Sequence, residues 1–249
     1  MLNIYNVNSL VHWEEREIRL REDLIRFFAD EVRSFLLSAN PAWDVRRVEA
    51  PTLMPRKLVS NAYSNADIWT QEQLSETDAE LVLRPETTPS TYVYMQHLLG
   101  NHSKTRLPLC VWQAGKSYRR EQDQPTKHVR LKEFWQLEFQ CAFTADTGND
   151  YHTACLEPVR RMIGSMIHLP TRVVPSDRLP AYSQITMDVE VDNGDKWMEV
   201  CSISKRTDFP QRYRSQGKSG PARDHDVLVL EIAIGLDRCI YNWNIAASR

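Results

Sequence analysis

The alternation of apolar and polar positions is clearest over residues 131–143. There Trp135, Leu137, Phe139 and Cys141 make a nearly all-apolar stripe, while Phe134, Gln136, Glu138 and Gln140 fall on the other side. A period of two belongs to a β-strand whose stripe packs into a core. The side carrying Phe134 and Glu138 is therefore polar for a reason other than packing. Residues 109–121 predict a partner strand, with Gln113, Gly115, Ser117, Arg119 and Glu121 on one face and Trp112, Ala114 and Tyr118 on the other. Asp123, Gln124, Pro125, Thr126 and Lys127 between them read as a turn.

Elsewhere, Ile18, Leu24, Phe28, Val32, Phe35 and Leu36 recur at helical spacing and predict an amphipathic helix over 10–38, ended by Asn40-Pro41. A strand over 45–49 runs into Pro51, a polar connection covers 60–65, a strand covers 79–84, and helices are expected over 89–99 and 150–166. Met187, Val189 and Val191 alternate with Asp188, Glu190 and Asp192; Asn193-Gly194 is a hairpin turn signal, and the return strand covers 196–204. Residues 211–226 are polar, with two glycines and a proline, and read as a mobile connection before a strand at 227–232 and a helix through Asn244. Adjacent strands with peripheral helices predict an α+β fold with a mostly antiparallel sheet.

Composition narrows the class. At 249 residues, 42% hydrophobic and 26% charged, the chain suits one large globular domain, or a domain with a small N-terminal appendage, and excludes disordered and fibrous classes. A net charge of -2 means that any nucleic-acid contact must come from a local patch. Five cysteines, never spaced C-x-x-C, argue against a disulfide framework and a cysteine zinc site. The first residues carry no signal-peptide pattern, and no apolar run approaches the ~18 residues of a membrane span. The expectation is a cytoplasmic protein without a membrane partner.

The chemistry gathers where the two long strands meet the turn. Arg119, Arg120 and Glu121 lie on one side of it, and Arg130 through Phe134 on the other. Guanidinium forks suit phosphate or carboxylate, and a phenyl face beside them can stack on a base. A lone Arg-x-Glu on a hairpin is ordinarily a surface ion pair; the fuller set fits a nucleotide.

Five segments in order carry a resemblance. They are Val45 to Pro51; Leu83-Arg-Pro-Glu-Thr87; Gln113 to Glu121 with Arg130 to Phe134; Trp197-Met-Glu-Val with Lys205-Arg-Thr-Asp208; and Leu230 to Arg238. Together the chain resembles the catalytic domain of the class II aminoacyl-tRNA synthetases, and most closely the glycyl enzymes. The resemblance implies the class II antiparallel sheet flanked by helices, in a single domain over 1–249 with an N-terminal helical segment at 1–41 and no anticodon-binding domain. It implies ATP-dependent activation of a small amino acid, with ATP and Mg²⁺, a homodimer, and transfer to tRNA or a tRNA-like acceptor end.

Roles carry over position by position. By resemblance Arg119 bridges the ATP α-phosphate and the amino-acid carboxylate, Glu121 receives the adenine amino group, Phe134 stacks on the base, and Arg130 and Arg238 hold the outer phosphates. Arg119 and Arg238 are thus the catalytic pair. Glu86 and Glu138 receive the ammonium group, Arg206 stands at the back of the amino-acid pocket, and Ala233 lies beside the substrate. Glu199 and Glu231 hold Mg²⁺, although Glu231 also matches a position near the amino acid. Bland readings stand beside these: Arg84 and Glu86 as a surface pair, Glu199 and Glu190 as a solvated hairpin face, Trp112, Trp135 and Trp197 as core. Arg206, Arg212, Arg214, Lys218 and Arg223 form a basic cluster that fits either RNA phosphates or a solvated loop, and His128 is a candidate phosphate or tRNA-end contact.

Three departures bear on specificity. Thr88-Pro89-Ser90 stands where the family has Ala-Gln-Gly, Ile232-Ala233 where the glycyl pattern has Pro-Ser, and Ser202-Ile203-Ser204 where it has Gly-Ile-Ala. A hydroxyl at 202 or 204 could serve a small polar side chain, so glycine stands only slightly ahead of serine, alanine and threonine. A paralogue charging another acceptor and a non-catalytic dimeric accessory or nucleic-acid-binding protein are the competing readings.

Overall fold

The computed structural model describes residues 5–7, 10–59, 63–71, 80–101, 105–120, 129–145, 150–210, 212–215 and 223–249. The elements in order are β1 (Tyr5–Val7), β2 (Leu10–His12), α1 (Glu15–Ala39), β3 (Asp44–Arg47), β4 (Leu53–Pro55), β5 (Thr70–Gln71), β6 (Leu81–Leu83) and α2 (Thr88–Asn101). Then come β7 (Leu109–Tyr118), β8 (Glu133–Thr144), α3 (Tyr151–Ile167), β9 (Thr171–Pro175), β10 (Ser183–Asp192) and β11 (Trp197–Arg206). The chain closes with β12 (Tyr213–Ser215), β13 (Arg223–His225), β14 (Val227–Gly235) and α4 (Leu236–Ala247).

The principal sheet has seven strands in the order β3-β7-β8-β14-β11-β10-β9. Only the β3–β7 pairing is parallel. The expected α+β architecture is therefore present, and its two faces divide as the alternation requires. Leu137, Phe139 and Cys141, with Leu230, Ile232, Ile203 and Val189, turn toward α1, α3 and α4 and are wholly or almost wholly buried. Trp112 and Trp135 pack against the same core, so the bland reading of those two rings is the observed one. On α1 the buried positions Leu20, Leu24, Phe28, Val32 and Leu36 are spaced by four, which puts them on one helical stripe over this core.

The opposite face is a set of polar rows fixed by register. Gln113, Glu138, Ala233, Ser202 and Asp188 lie across from one another on successive strands. The next row reads Gln140, Glu231, Ser204 and Thr186. A one-residue slip in any strand would send these groups into the apolar core, so the pattern itself specifies the register.

A three-stranded sheet, β4-β6-β5, flanks this face. Met54, Val59, Ile68 and Val82 form its small core, against which the Tyr63 ring packs.

Several elements differ from expectation. The first helix begins at Glu15, because Leu10–His12 pairs with Tyr5–Val7 in a short hairpin. β9 has too weak an alternation to have been foreseen. Within 211–226, read from the sequence as a mobile connection, Tyr213–Ser215 and Arg223–His225 pair as two short strands, and residues 216–222 lie outside the described residues. All five cysteines are buried and free, with Cys110 and Cys141 facing each other across β7 and β8. Among the described residues no helix is long and apolar enough to cross a membrane.

Candidate active site

β8, β14 and β11 bring Glu138, Glu231 and Arg206 to one place on the polar face, and the segment between β6 and α2 adds Glu86, with the start of α2 laid over them. Glu86, Glu138 and Glu231 are each no more than 4% exposed, and Arg206 is 1% exposed. Arg206 is fixed from every side. Its Nη1 donates to Glu231 Oε2 at 2.6 Å, and Nε and Nη2 reach the two oxygens of Asp208 at 3.0 and 2.8 Å. Its guanidinium lies 3.7 Å from the centre of the Tyr182 ring and 5.5 Å from that of Tyr92. A planar cation held by fork geometry and ring faces has little rotational freedom. The reading of Arg206 as part of a surface basic cluster is thereby excluded, since it is buried, and Arg212 instead pairs with Asp226 at 3.0 Å. Lys218 lies outside the described residues.

The carboxylates are joined by hydroxyls and amides. Glu138 accepts from the Thr87 backbone N–H at 3.1 Å, from the Thr87 hydroxyl, and from Thr88 Oγ1 at 3.3 Å. Glu231 accepts from Thr88 Oγ1 at 2.9 Å and from Gln140 Nε2 at 2.8 Å. Glu86 accepts from the Tyr63 hydroxyl at 3.0 Å, and its other oxygen, Oε1, is buried without a hydrogen-bond partner. Burial raises the Glu86 pKa, with Arg206 pulling against it. Burial, and then the charges of Glu231 and Glu86, push Glu138 up to about 7. Three buried acids share two guanidiniums, Arg206 and, at the border of the cluster, Arg119, so the acids outnumber the cations.

Arg119 borders this pocket at the end of β7. Its Nε donates to the Pro85 carbonyl at 3.0 Å and its Nη2 to the Tyr63 hydroxyl oxygen at 2.9 Å. Its guanidinium carbon is 5.2 Å from the centre of the Phe134 ring, so the structure joins the expected arginine and aromatic group. Burial tends to lower the Arg119 pKa, but Tyr63, Glu86 and Glu138 outweigh it and hold the group charged.

Arg84 is not a surface partner of Glu86. It is buried, with Nε on the Lys116 carbonyl at 2.8 Å and Nη1 on the Ala50 carbonyl at 3.0 Å and Gln113 Oε1 at 3.1 Å. It ties the segment after β3 to β7 and so sets the level at which Glu86 enters the site.

The other expected residues are more dispersed. Arg238, at the start of α4, donates from Nη1 to the Glu199 carbonyl at 2.9 Å and lies 3.3 Å from Glu199 Oε2. Glu199 and Glu231 belong to separate groups: Glu199 is half-exposed beside Arg238, whereas Glu231 is buried on Arg206. Among the described residues no cluster of three or more metal-binding side chains forms. Ala233 sits between Glu138 and Ser202 across the sheet. Both serine hydroxyls are engaged within the sheet, Ser202 donating to Asp188 at 2.7 Å and Ser204 lying 3.0 Å from the Thr186 hydroxyl. Arg130 is exposed just before β8. Glu121 and His128 lie outside the described residues.

Residue-by-residue reading missed Tyr63, Thr88, Tyr92, Gln140, Tyr182 and Asp208 as members of the site. Gln140 was visible as a polar position on the non-core side of β8, and Asp208 follows Arg206 by two. Nothing in the local pattern marks Tyr63.

With this geometry in view, residues 69–242 match the family model described as tRNA synthetase class II core domain (G, H, P, S and T). The chain belongs to this family. It is 30% identical over 146 residues to glycine--tRNA ligase of Mycoplasma capricolum, covering 56% of this chain and 32% of that one. Over 151 residues it is 30% identical to the Staphylococcus aureus (strain JH9) glycine--tRNA ligase, covering 59% of this chain and 32% of that one. The chain thus spans about a third of the length of these curated relatives. A solved prolyl-tRNA synthetase of Cryptosporidium parvum, complexed with halofuginone and AMPPNP, superposes with a TM-score of 0.76 over 97% of this chain and 48% of its own, at 14% identity. That likeness concerns the fold.

Proposed function

We propose that this chain is the adenylate-forming core of an aminoacyl-tRNA synthetase for a small amino acid, with glycine favoured. The observation that carries the reading is the buried cluster of Glu86, Glu138 and Glu231 set directly beside Arg119. An amino acid is a zwitterion, and this pair of environments suits its two ends. The ammonium enters among the carboxylates, where Glu86 Oε1 accepts no hydrogen bond and has Arg206 Nη2 only at 3.9 Å. The carboxylate lies against Arg119, whose charge also serves the ATP α-phosphate.

In this reading one carboxylate oxygen attacks the α-phosphorus and pyrophosphate leaves. No general base is required, because the nucleophile is already ionised. The rate comes from placing the reactants in line and from offsetting the negative charge that gathers on the phosphate oxygens. Arg119 acts on the α-phosphate, and Arg130 and Arg238 act on the outer phosphates. Phe134 carries the adenine ring and Glu121 its amino group. The acceptor-end hydroxyl of tRNA then attacks the adenylate carbonyl and releases AMP.

Mg²⁺, when bound, neutralises phosphate charge. Glu199, a half-exposed carboxylate, would be the residue that holds it. Glu231 is taken up by Arg206, Gln140 and Thr88, so we assign it to the amino-acid side. A twofold dimer along the edge strand β3 belongs to the same reading. The apolar stripe of α1 is already buried within the chain and adds nothing to that interface.

Specificity is tested by amino-acid-dependent ATP–pyrophosphate exchange with glycine, alanine, serine and threonine, on the wild type and on Ala233→Ser. Glycine should be the best substrate, and the added hydroxyl beside Glu138 should sharpen that preference. A wild type that prefers another of the four, together with an Ala233→Ser variant that does not move toward glycine, refutes the glycyl assignment and leaves adenylation standing.

A further inference from the structure

Tyr63 stands between the two groups that would grip the ends of an amino acid. Its hydroxyl accepts from Arg119 Nη2 at 2.9 Å and donates to Glu86 Oε2 at 3.0 Å. Its ring centre is 5.3 Å from the Arg119 guanidinium carbon. Two roles are open to a hydroxyl in this place. It could fill the site in the absence of substrate and be displaced on binding, or it could remain and hold the receptors in position.

The packing decides between them. The ring rests on the small core of Met54, Val59, Ile68 and Val82, and the Tyr63 carbonyl accepts from Arg56 Nη2 at 3.1 Å. A residue anchored at both ring and backbone is not built to swing out. Burial also keeps its phenol protonated, with Arg119 opposing, so it can continue to donate to Glu86. The hydroxyl occupies one edge of each receptor and leaves the other edge of Glu86, the buried Oε1, without a hydrogen bond, with Arg206 Nη2 3.9 Å away.

Resting on the adenylation reading above, we propose that Tyr63 is a positioning residue that links Arg119 to Glu86 and presets their spacing for the carboxylate and ammonium of an α-amino acid. It touches neither the reacting phosphorus nor the nucleophile. Its contribution is to amino-acid binding, through the separation and charge state of the two receptors. Glu86 also faces Arg206, Glu231, Arg119, Glu138 and Tyr182, which set the background against which the Tyr63 hydrogen bond acts.

Tyr63→Phe keeps the ring and its packing and removes only the hydroxyl. A hydrogen bond to a charged group contributes about 1.5–3 kcal/mol, so the KM for the amino acid in ATP–pyrophosphate exchange should rise about tenfold or more, while the KM for ATP stays within about twofold. Loss of the donor should also move the acid limb of kcat/KM for the amino acid to higher pH, because that hydrogen bond favours the ionised form of Glu86. A merely structural role would leave the limb where it is. An unchanged amino-acid KM and pH limb overturns the proposal; so does a lowered KM, which would mark Tyr63 as an occupant to be displaced.

A ligand-free measurement separates this proposal from the adenylation reading. The Tm gap between wild type and Tyr63→Phe should narrow as pH falls and Glu86 becomes protonated. A gap independent of pH counts against the link even if exchange is robust. Failure of the wild type to exchange with any amino acid overturns the function and leaves the Tm gap to decide the link.

Discussion

Replacing Arg206 with leucine removes the cation on which the buried carboxylates depend. The side chain is 1% exposed and supplies three hydrogen bonds of 2.6–3.0 Å to Glu231 and Asp208, with a further approach of 3.9 Å to Glu86. Leucine restores part of the lost apolar contact against Tyr92 and Tyr182, so the electrostatic loss dominates. Breaking a buried ion pair by removing one partner costs about 3–5 kcal/mol. Asp208 is partly exposed and regains water, whereas Glu231 and Glu86 cannot, so the cost should come mainly from those two. Arg206 lowers the Glu86 pKa, and its loss raises it. The wild-type advantage is therefore full at pH values above the variant's raised carboxylate pKa and shrinks as pH falls and the acids take up protons. Urea unfolding at pH 8 and pH 5, with equal m-values for the two proteins, measures both quantities. A loss under about 1 kcal/mol at pH 8, or one that grows toward pH 5, would refute this account of the pocket.

Two further perturbations follow from the same geometry. Glu138 has its pKa raised from 4.5 to about 7, so its ionisation opposes folding: ligand-free stability should fall as pH rises through that interval, and Glu138→Gln should flatten the fall in a Tm series from pH 5 to 8 while abolishing amino-acid-dependent exchange. Gly115→Ala would drive a Cβ into Arg84 Nη2, and Arg84 is pinned by backbone carbonyls and Gln113; overpacking of about 1–3 kcal/mol should appear in urea unfolding, and a neutral result would mean that Arg84 has room to shift.

The sequence exposed the parts of the fold whose pattern is local. β8 was legible because one of its faces is almost purely apolar, and the β10–β11 hairpin because Asn193-Gly194 supplies a turn residue with φ of +92° at Gly194. β9, β12 and β13 are short and owe their strand character to their partners, so no local signal announces them. In the site, Glu86, Arg119, Arg206 and Glu231 could be named from the five quoted segments. Their bonding could not, since it depends on register: Glu231 meets Gln140 and stands across from Ser204 only because β14 is seated between β8 and β11. That seating also puts Glu231 on Arg206 and leaves Glu199 to Arg238, separating the two acids expected to act on one ion. Tyr63 escaped notice because a single tyrosine in a polar stretch has no periodicity to read.

The central claim is that Arg119 and the adjoining carboxylates bind a zwitterion against the α-phosphate of ATP. Amino-acid-dependent ATP–pyrophosphate exchange by the wild type and by Arg119→Ala measures this most directly. Removal of a single charge-stabilising donor costs about 10²–10³ in rate. The account predicts exchange with a small amino acid in the wild type and a loss of at least that size in a variant that remains folded. Exchange unaffected by Arg119→Ala would contradict it.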